Sequence, residues 1–225
     1  MEYALPYKTA TEINSAMGRV YGNMALAVVT SMIVSMFVAS NAALMAFFFT
    51  GIVKWIVIFA PLAAIFGVGY VLGNNPSKTT AQLCLHGFAA LMGLSFATIF
   101  VMYTTASIVN AFLGAAVLFG VMSFYGYFTK QSLDSVGKYL MVGLIAIIIV
   151  SIINIFIGSS TLQMFVSAAA VLIFLGLTAY DTQKIREQIM ESSSPATEAM
   201  GALTLYLDFI NLFLSLLHLF GGRRE

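Results

Sequence analysis

The segment "ALTLYLDFINLFLSLLHLFGG", residues 202–222, is built largely from leucine and phenylalanine, yet its seventh residue is an aspartate, Asp208. Its polar residues are not scattered. Thr204, Asp208, Asn211, Ser215, His218 and Gly222 follow one another at spacings of 4, 3, 4, 3 and 4, which is one face of an α-helix. The other faces carry Leu, Phe and Ile. A charge set against lipid near the bilayer centre costs about 2.5–3.5 kcal/mol on insertion scales. The polar stripe is therefore expected to face protein or a water-filled cavity.

The rest of the chain supplies such surroundings. Of its 225 residues, 60% are hydrophobic and 8% are charged, whereas a soluble domain carries about 25% charged residues. Six further apolar runs, 20–40, 52–72, 81–103, 107–128, 139–157 and 162–180, join 202–220. Each is close to the length of about 20 residues that a membrane-crossing helix needs. Short polar breaks separate them, among them "GNNPSK" (73–78), "TKQSLDSVGK" (129–138) and "GSST" (158–161). The expected fold is an all-α polytopic membrane protein of seven transmembrane helices. Its parts are a cytoplasmic N-terminal segment, 1–19, a membrane domain, 20–222, and a short tail, 223–225. The first 19 residues lack the basic start and cleavage site of a secretory signal. No internal repeat of the kind found in inverted-repeat transporters is visible.

Charge and cysteine usage narrow the function. A net charge of +1 argues against a nucleic-acid partner. The single cysteine, Cys84, excludes an internal disulfide. Lysine and arginine set the orientation. With seven crossings, Lys8, Arg19, Lys78, Lys130, Lys138, Lys184 and Arg186 share the N-terminal side, whereas Lys54, Arg223 and Arg224 lie opposite. The N-terminus is expected in the cytoplasm. Arg223 and Arg224 sit awkwardly with a full seventh crossing, and a re-entrant last helix is the alternative.

Most acidic residues lie in tails or loops, but Asp181 and Asp208 do not. Asp181 ends the apolar part of the sixth run, in "FLGLTAYDTQKIREQ", where no Gly or Pro interrupts a helix continuing to Gln188. Measured from the connection that the last two helices share, both aspartates lie about 10 Å deep, at 1.5 Å per residue. Antiparallel packing would bring them level. Two carboxylates withdrawn from water cannot both ionise cheaply, and they titrate as one unit. A shared proton would hold the two helices together; its loss would part them or draw in a cation. Hard divalent cations such as calcium prefer carboxylate oxygens, and one drawn in would be held transiently by Asp181 and Asp208. Thr204, Asn211 and Ser215 are expected to line its route. No cofactor is expected.

Other polar residues have structural readings. His218 suits a helix end or the membrane interface. His86 shares a face with Ala90, Gly93 and Ala97, small residues that let helices approach closely. Asn110 and Asn154 suit hydrogen bonds between helices, and Pro61 a kink in the second helix. Two membrane aspartates also suggest an intramembrane aspartyl protease, and "AYD" fits its first element. The second requires Gly-x-Gly-Asp, whereas this chain has "LYLD", with Leu205 and Leu207 in place of both glycines. No serine-protease setting, phosphate loop or HExxH motif is present. The chain is not expected to be an enzyme.

"LTAYDTQKI" (177–185) followed by "GALTLYLDFINLFLSLLHLFG" (201–221) closely resembles the Bax inhibitor family of membrane proteins. "MYTTASIVNAF" (102–112), "GYFTKQSLDSVGKYL" (126–140) and "RVYGNM" (19–24) extend the resemblance over nearly the whole chain, and the short N-terminus is similar to that of the bacterial branch. The resemblance implies seven helices with the last surrounded by the others, in the bacterial inner membrane. It also implies a pH-sensitive calcium leak whose aspartate pair falls on Asp181 and Asp208. Some members place an arginine near the end of the second helix as a latch partner. The corresponding stretch here, "VLGNNPSKTT", has none, and Lys78 is the nearest cation. Bacterial relatives are further linked to a membrane-anchored ATP-dependent protease, so a non-conducting modulator of such a protease, or of membrane stress, is one alternative function. A proton-coupled solute transporter is another.

Overall fold

The computed structural model describes residues 8–224. Every regular element among them is an α-helix: α1 (Ala10–Ala39), α2 (Ala42–Phe49), α3 (Val53–Gly73), α4 (Lys78–Met102), α5 (Thr105–Phe128), α6 (Asp134–Ile157), α7 (Ser160–Glu191) and α8 (Pro195–Phe220). All but α2 are long and apolar enough to cross a membrane. The protein is a polytopic membrane protein with seven spans.

The helix ends have local causes. The Thr9 side chain accepts from the Glu12 backbone N–H, and Glu12 reaches back to the Thr9 N–H, a reciprocal cap that starts α1. Asn41 caps α2 and Thr104 caps α5. Gly158, at φ 69°, ends α6 in the left-handed conformation that glycine adopts without strain. Ser194 accepts from the Thr197 N–H at 3.0 Å, ahead of a proline in the first turn of α8.

Two features depart from the hydropathy reading. Helix α1 begins at Ala10, so residues 10–19 of the expected N-terminal segment are its first turns; residues 1–7 lie outside the described part. Ile13, Ala16, Met17 and Val20 are buried at helical spacing there. An amphipathic start of this kind carries too little hydropathy to register as part of an apolar run. Helix α2 lies between the first two spans. It buries no side chain and is too short to cross.

The chain forms two compact units. The first comprises the chain up to Ala97 together with Lys184–Thr204. In it α1 and α4 meet closely: a Cβ on Gly93 would lie 2.8 Å from Ser31 Cα, and Ser31 donates to the Ala89 carbonyl at 2.7 Å. Arg19 holds Glu198 through two charge-assisted bonds of 2.6 and 2.8 Å. The Lys8 ammonium donates to the Ile189 carbonyl.

The second unit comprises Thr98–Gln183 and the chain from Leu205 onward. Here the end of α8 is fastened to the α4–α5 turn. Tyr103 and Arg223 form an antiparallel bridge, with Thr104 N–H donating to Gly222 O at 3.1 Å and Arg224 N–H to Met102 O at 2.9 Å. That turn follows the third span, and α8 is the seventh. Two odd-numbered exits lie on one side of a membrane, so this pairing is the one a full seventh crossing requires. At 26 residues α8 is about 39 Å long, more than the roughly 30 Å hydrocarbon core. It is also the most enclosed span: 61% of its apolar window is buried, against 6% for α6.

Candidate functional site

Asp181 and Asp208 both belong to the second unit, on α7 and α8. Asp208 is 4% exposed and Asp181 is half-buried. Their carboxyl groups lie close enough to interact directly. A carboxylate only accepts, so a bond between two carboxyl groups requires a proton on one of them. Oδ2 of Asp208 is buried and receives no hydrogen bond from any N–H or hydroxyl among the described residues. An unsatisfied acceptor of this kind is costly. A proton carried by the pair itself, or a cation, would satisfy it.

The framework around the pair is close-fitting. A Cβ on Gly126 of α5 would collide with the Ala179 backbone, and one on Gly137 of α6 would lie 2.5 Å from the Tyr180 ring. Each glycine thus lets its helix approach α7 just before Asp181. Thr182 shares a 3.0 Å hydrogen bond with Ser123 of α5. The Gln183 amide bridges the α5–α6 connection, accepting from the Leu133 N–H at 2.8 Å and donating to the Gln131 carbonyl at 2.9 Å. On α8, the Phe209 ring packs edge-on against Phe112 and Phe119, with centroids 5.4 and 5.7 Å away. The residues that flank each aspartate are therefore anchored.

The remaining residues expected at the site stand apart from this exchange. Thr204 donates to Met200 O at 3.1 Å, Asn211 to Leu207 O at 2.8 Å and Ser215 to Asn211 O at 2.7 Å. Each keeps its place on the polar face of α8 but satisfies itself on its own helix. Lys78 is exposed at the start of α4 in the first unit. His218 is exposed, its ring 6.4 Å from that of Tyr103. His86 bonds Thr30 across the α1–α4 contact at 3.0 Å, in keeping with its packing role. Among the described residues no group of three or more His, Cys, Asp or Glu is placed to hold a metal.

Ser123, Gly126, Gly137, Thr182 and Gln183 were not foreseen. The visible signal was Ser123 and Gly126, two small residues three apart on an otherwise bulky helix.

Comparison with known proteins bears on the same residues. The family profile described as "Inhibitor of apoptosis-promoting Bax1" matches residues 13–225. The chain belongs to the Bax inhibitor family. Among its relatives, the "Inner membrane protein YbhL" of Escherichia coli strain K12 is 40% identical over 219 residues, covering 94% of this chain and 93% of the relative. "Uncharacterized protein RP147" of Rickettsia prowazekii is 36% identical over 213 residues, covering 92% and 89%. An "Uncharacterized protein" of Borreliella burgdorferi is 36% identical over 220 residues, covering 94% of each. The Bax inhibitor family match takes in both helices of the aspartate pair and α1 from Ile13 onward.

Proposed function

We propose that this chain is a proton-gated cation leak of the bacterial inner membrane, with calcium the ion its chemistry suits. The observation that carries the reading is the adjacent pair Asp181 and Asp208 on two consecutive spans, with a buried Asp208 oxygen that receives no hydrogen bond from the described residues. With one proton between them the carboxyls bind α7 to α8. Without it, two like charges face each other in a poorly screened interior and repel. The closed arrangement is favoured in acid and lost as pH rises, so flux increases toward alkaline pH. The open pair then offers carboxylate oxygens to a hard divalent ion. Thr204, Asn211 and Ser215 line the same helix face, and their hydroxyl and amide oxygens are additional weak ligands. The N-terminus is assigned to the cytoplasm by the excess of Lys and Arg on its side. The protein performs no covalent chemistry in this reading.

The test is calcium flux into liposomes containing the purified protein, followed across about pH 6 to about 8, a range above the reference carboxyl values. The wild type is expected to leak more as pH rises. Asp208→Asn, which keeps the shape and removes the titration, should leak at a rate independent of pH. A pH response unchanged in that variant would remove the gating role. A wild-type rate no higher than that of empty vesicles would overturn conduction altogether and leave the non-conducting modulator of a membrane-anchored protease.

A further inference from the structure

The far end of α8 holds a contact that the aspartate pair does not explain. Helix α8 stops at Phe220, and residues 221–224 then run antiparallel to the α4–α5 turn. Four bonds fasten them. Two are the main-chain bonds Thr104 N–H to Gly222 O and Arg224 N–H to Met102 O. The other two use side chains of the turn: Ser107 Oγ accepts from the Gly222 N–H at 2.9 Å, and Thr105 Oγ1 accepts from the Arg224 guanidinium at 3.4 Å. Beneath them Tyr103 is 4% exposed. It is covered at a position where only glycine fits, since a Cβ on Gly221 would lie 2.8 Å from its ring.

Three properties make this segment a closure and not merely a frayed end. It binds by short β-type pairing instead of apolar burial, and Gly222, Arg223 and Arg224 are exposed, so water competes for every bond. It lies at the C-terminal end of the most enclosed helix. It also places two arginines on the side of the membrane where positive residues are disfavoured. A cation travelling along α8 would meet those charges at its exit.

We propose that residues 221–224 form a strap that closes the far end of the route along α8, a second gate that must leave the α4–α5 turn before a cation passes. The inference rests on the leak reading for what passes, but the motion of the strap is measurable without it. In an antiparallel bridge whose flanking residues carry the hydrogen bonds, the bridged pair has its Cα atoms about 4.5 Å apart, within disulfide reach. Tyr103 and Arg223 are that pair. The experiment uses full-length protein in liposomes, in a Cys84→Ser background. Tyr103→Cys with Arg223→Cys is oxidised to lock the strap, and calcium flux is compared before and after reduction. Spin labels at Thr105→Cys and Arg224→Cys, in a separate variant, report the distance across the strap under the same conditions. The strap model expects flux at the empty-vesicle rate when locked, recovery on reduction, and a second, longer distance population in the labelled protein. Equal flux in the locked and reduced states, or a single short distance wherever flux is seen, would overturn it. A second distance population with no flux in any state would uphold the strap's motion and instead overturn the leak. Arg223→Glu with Arg224→Glu, both exposed and outside every helix, guards against a folding defect in the cysteine pair. It is expected to raise cation flux, and unchanged flux in that variant counts against the charged lid.

Discussion

Gly126 lies where α5 presses on α7 beside Asp181, and its missing side chain sets how closely the two helices meet. Gly126→Ala puts a methyl group into the Ala179 backbone. Overpacking of this kind costs about 1–3 kcal/mol. The expected outcome is a thermal unfolding midpoint lowered by several degrees in detergent, together with a pH response of flux displaced from the wild type because α7 no longer holds Asp181 in register. Asp208 was legible in the sequence because a charge among leucines and phenylalanines has no bland explanation. Asp181 was legible only through its depth, measured against a shared connection. Ser123 was not legible. Its partner Thr182 lies 59 residues away, and neither side chain is unusual in its own neighbourhood. Thr204, Asn211 and Ser215 show the converse: the periodicity was correct, but each group bonds to its own helix, a choice that spacing leaves open.

The first turns of α1 illustrate how an element escapes a hydropathy reading. Thr9 and Glu12 form a start signal visible in the sequence, and the buried positions continue unbroken from Ile13 into the span. Counting apolar residues hides them because every other face of these turns is polar. The same element joins the first turn of α8 through Arg19 and Glu198. The Arg19 side chain is 49% exposed and that of Glu198 13%, so solvent screens the pair, and exposed pairs of this type are worth about 0.2–1 kcal/mol. Arg19→Glu is expected to lower the unfolding midpoint by a small amount, Glu198→Arg likewise, and the double reversal to recover most of the loss. Raising the salt concentration should shrink all three differences. A double-mutant cycle on thermal unfolding at low and high salt is the measurement, and a coupling of zero at low salt would show that the two residues act separately.

For the whole molecule, the number of spans followed from composition and run length, since lipid admits so few alternatives. The completeness of the seventh crossing did not, because Arg223 and Arg224 argued against it; the bridge from Arg223 to Tyr103 resolves the point by parity. Orientation is open to direct measurement. In right-side-out membrane vesicles with Cys84→Ser, an impermeant maleimide should label Asn41→Cys, after the first span, and spare Ser132→Cys, after the fourth. The reverse pattern would invert the assignment. Helix α6 adds a last point. It is the most apolar span, its buried share is the smallest, and its 24 residues extend about 36 Å. A bilayer core of about 30 Å is shorter than that, and a helix with so few protein neighbours has little besides lipid to fix its tilt. Membrane thickness thus becomes a variable to which this protein responds, with α6 leaning further in thin bilayers and standing straighter in thick ones.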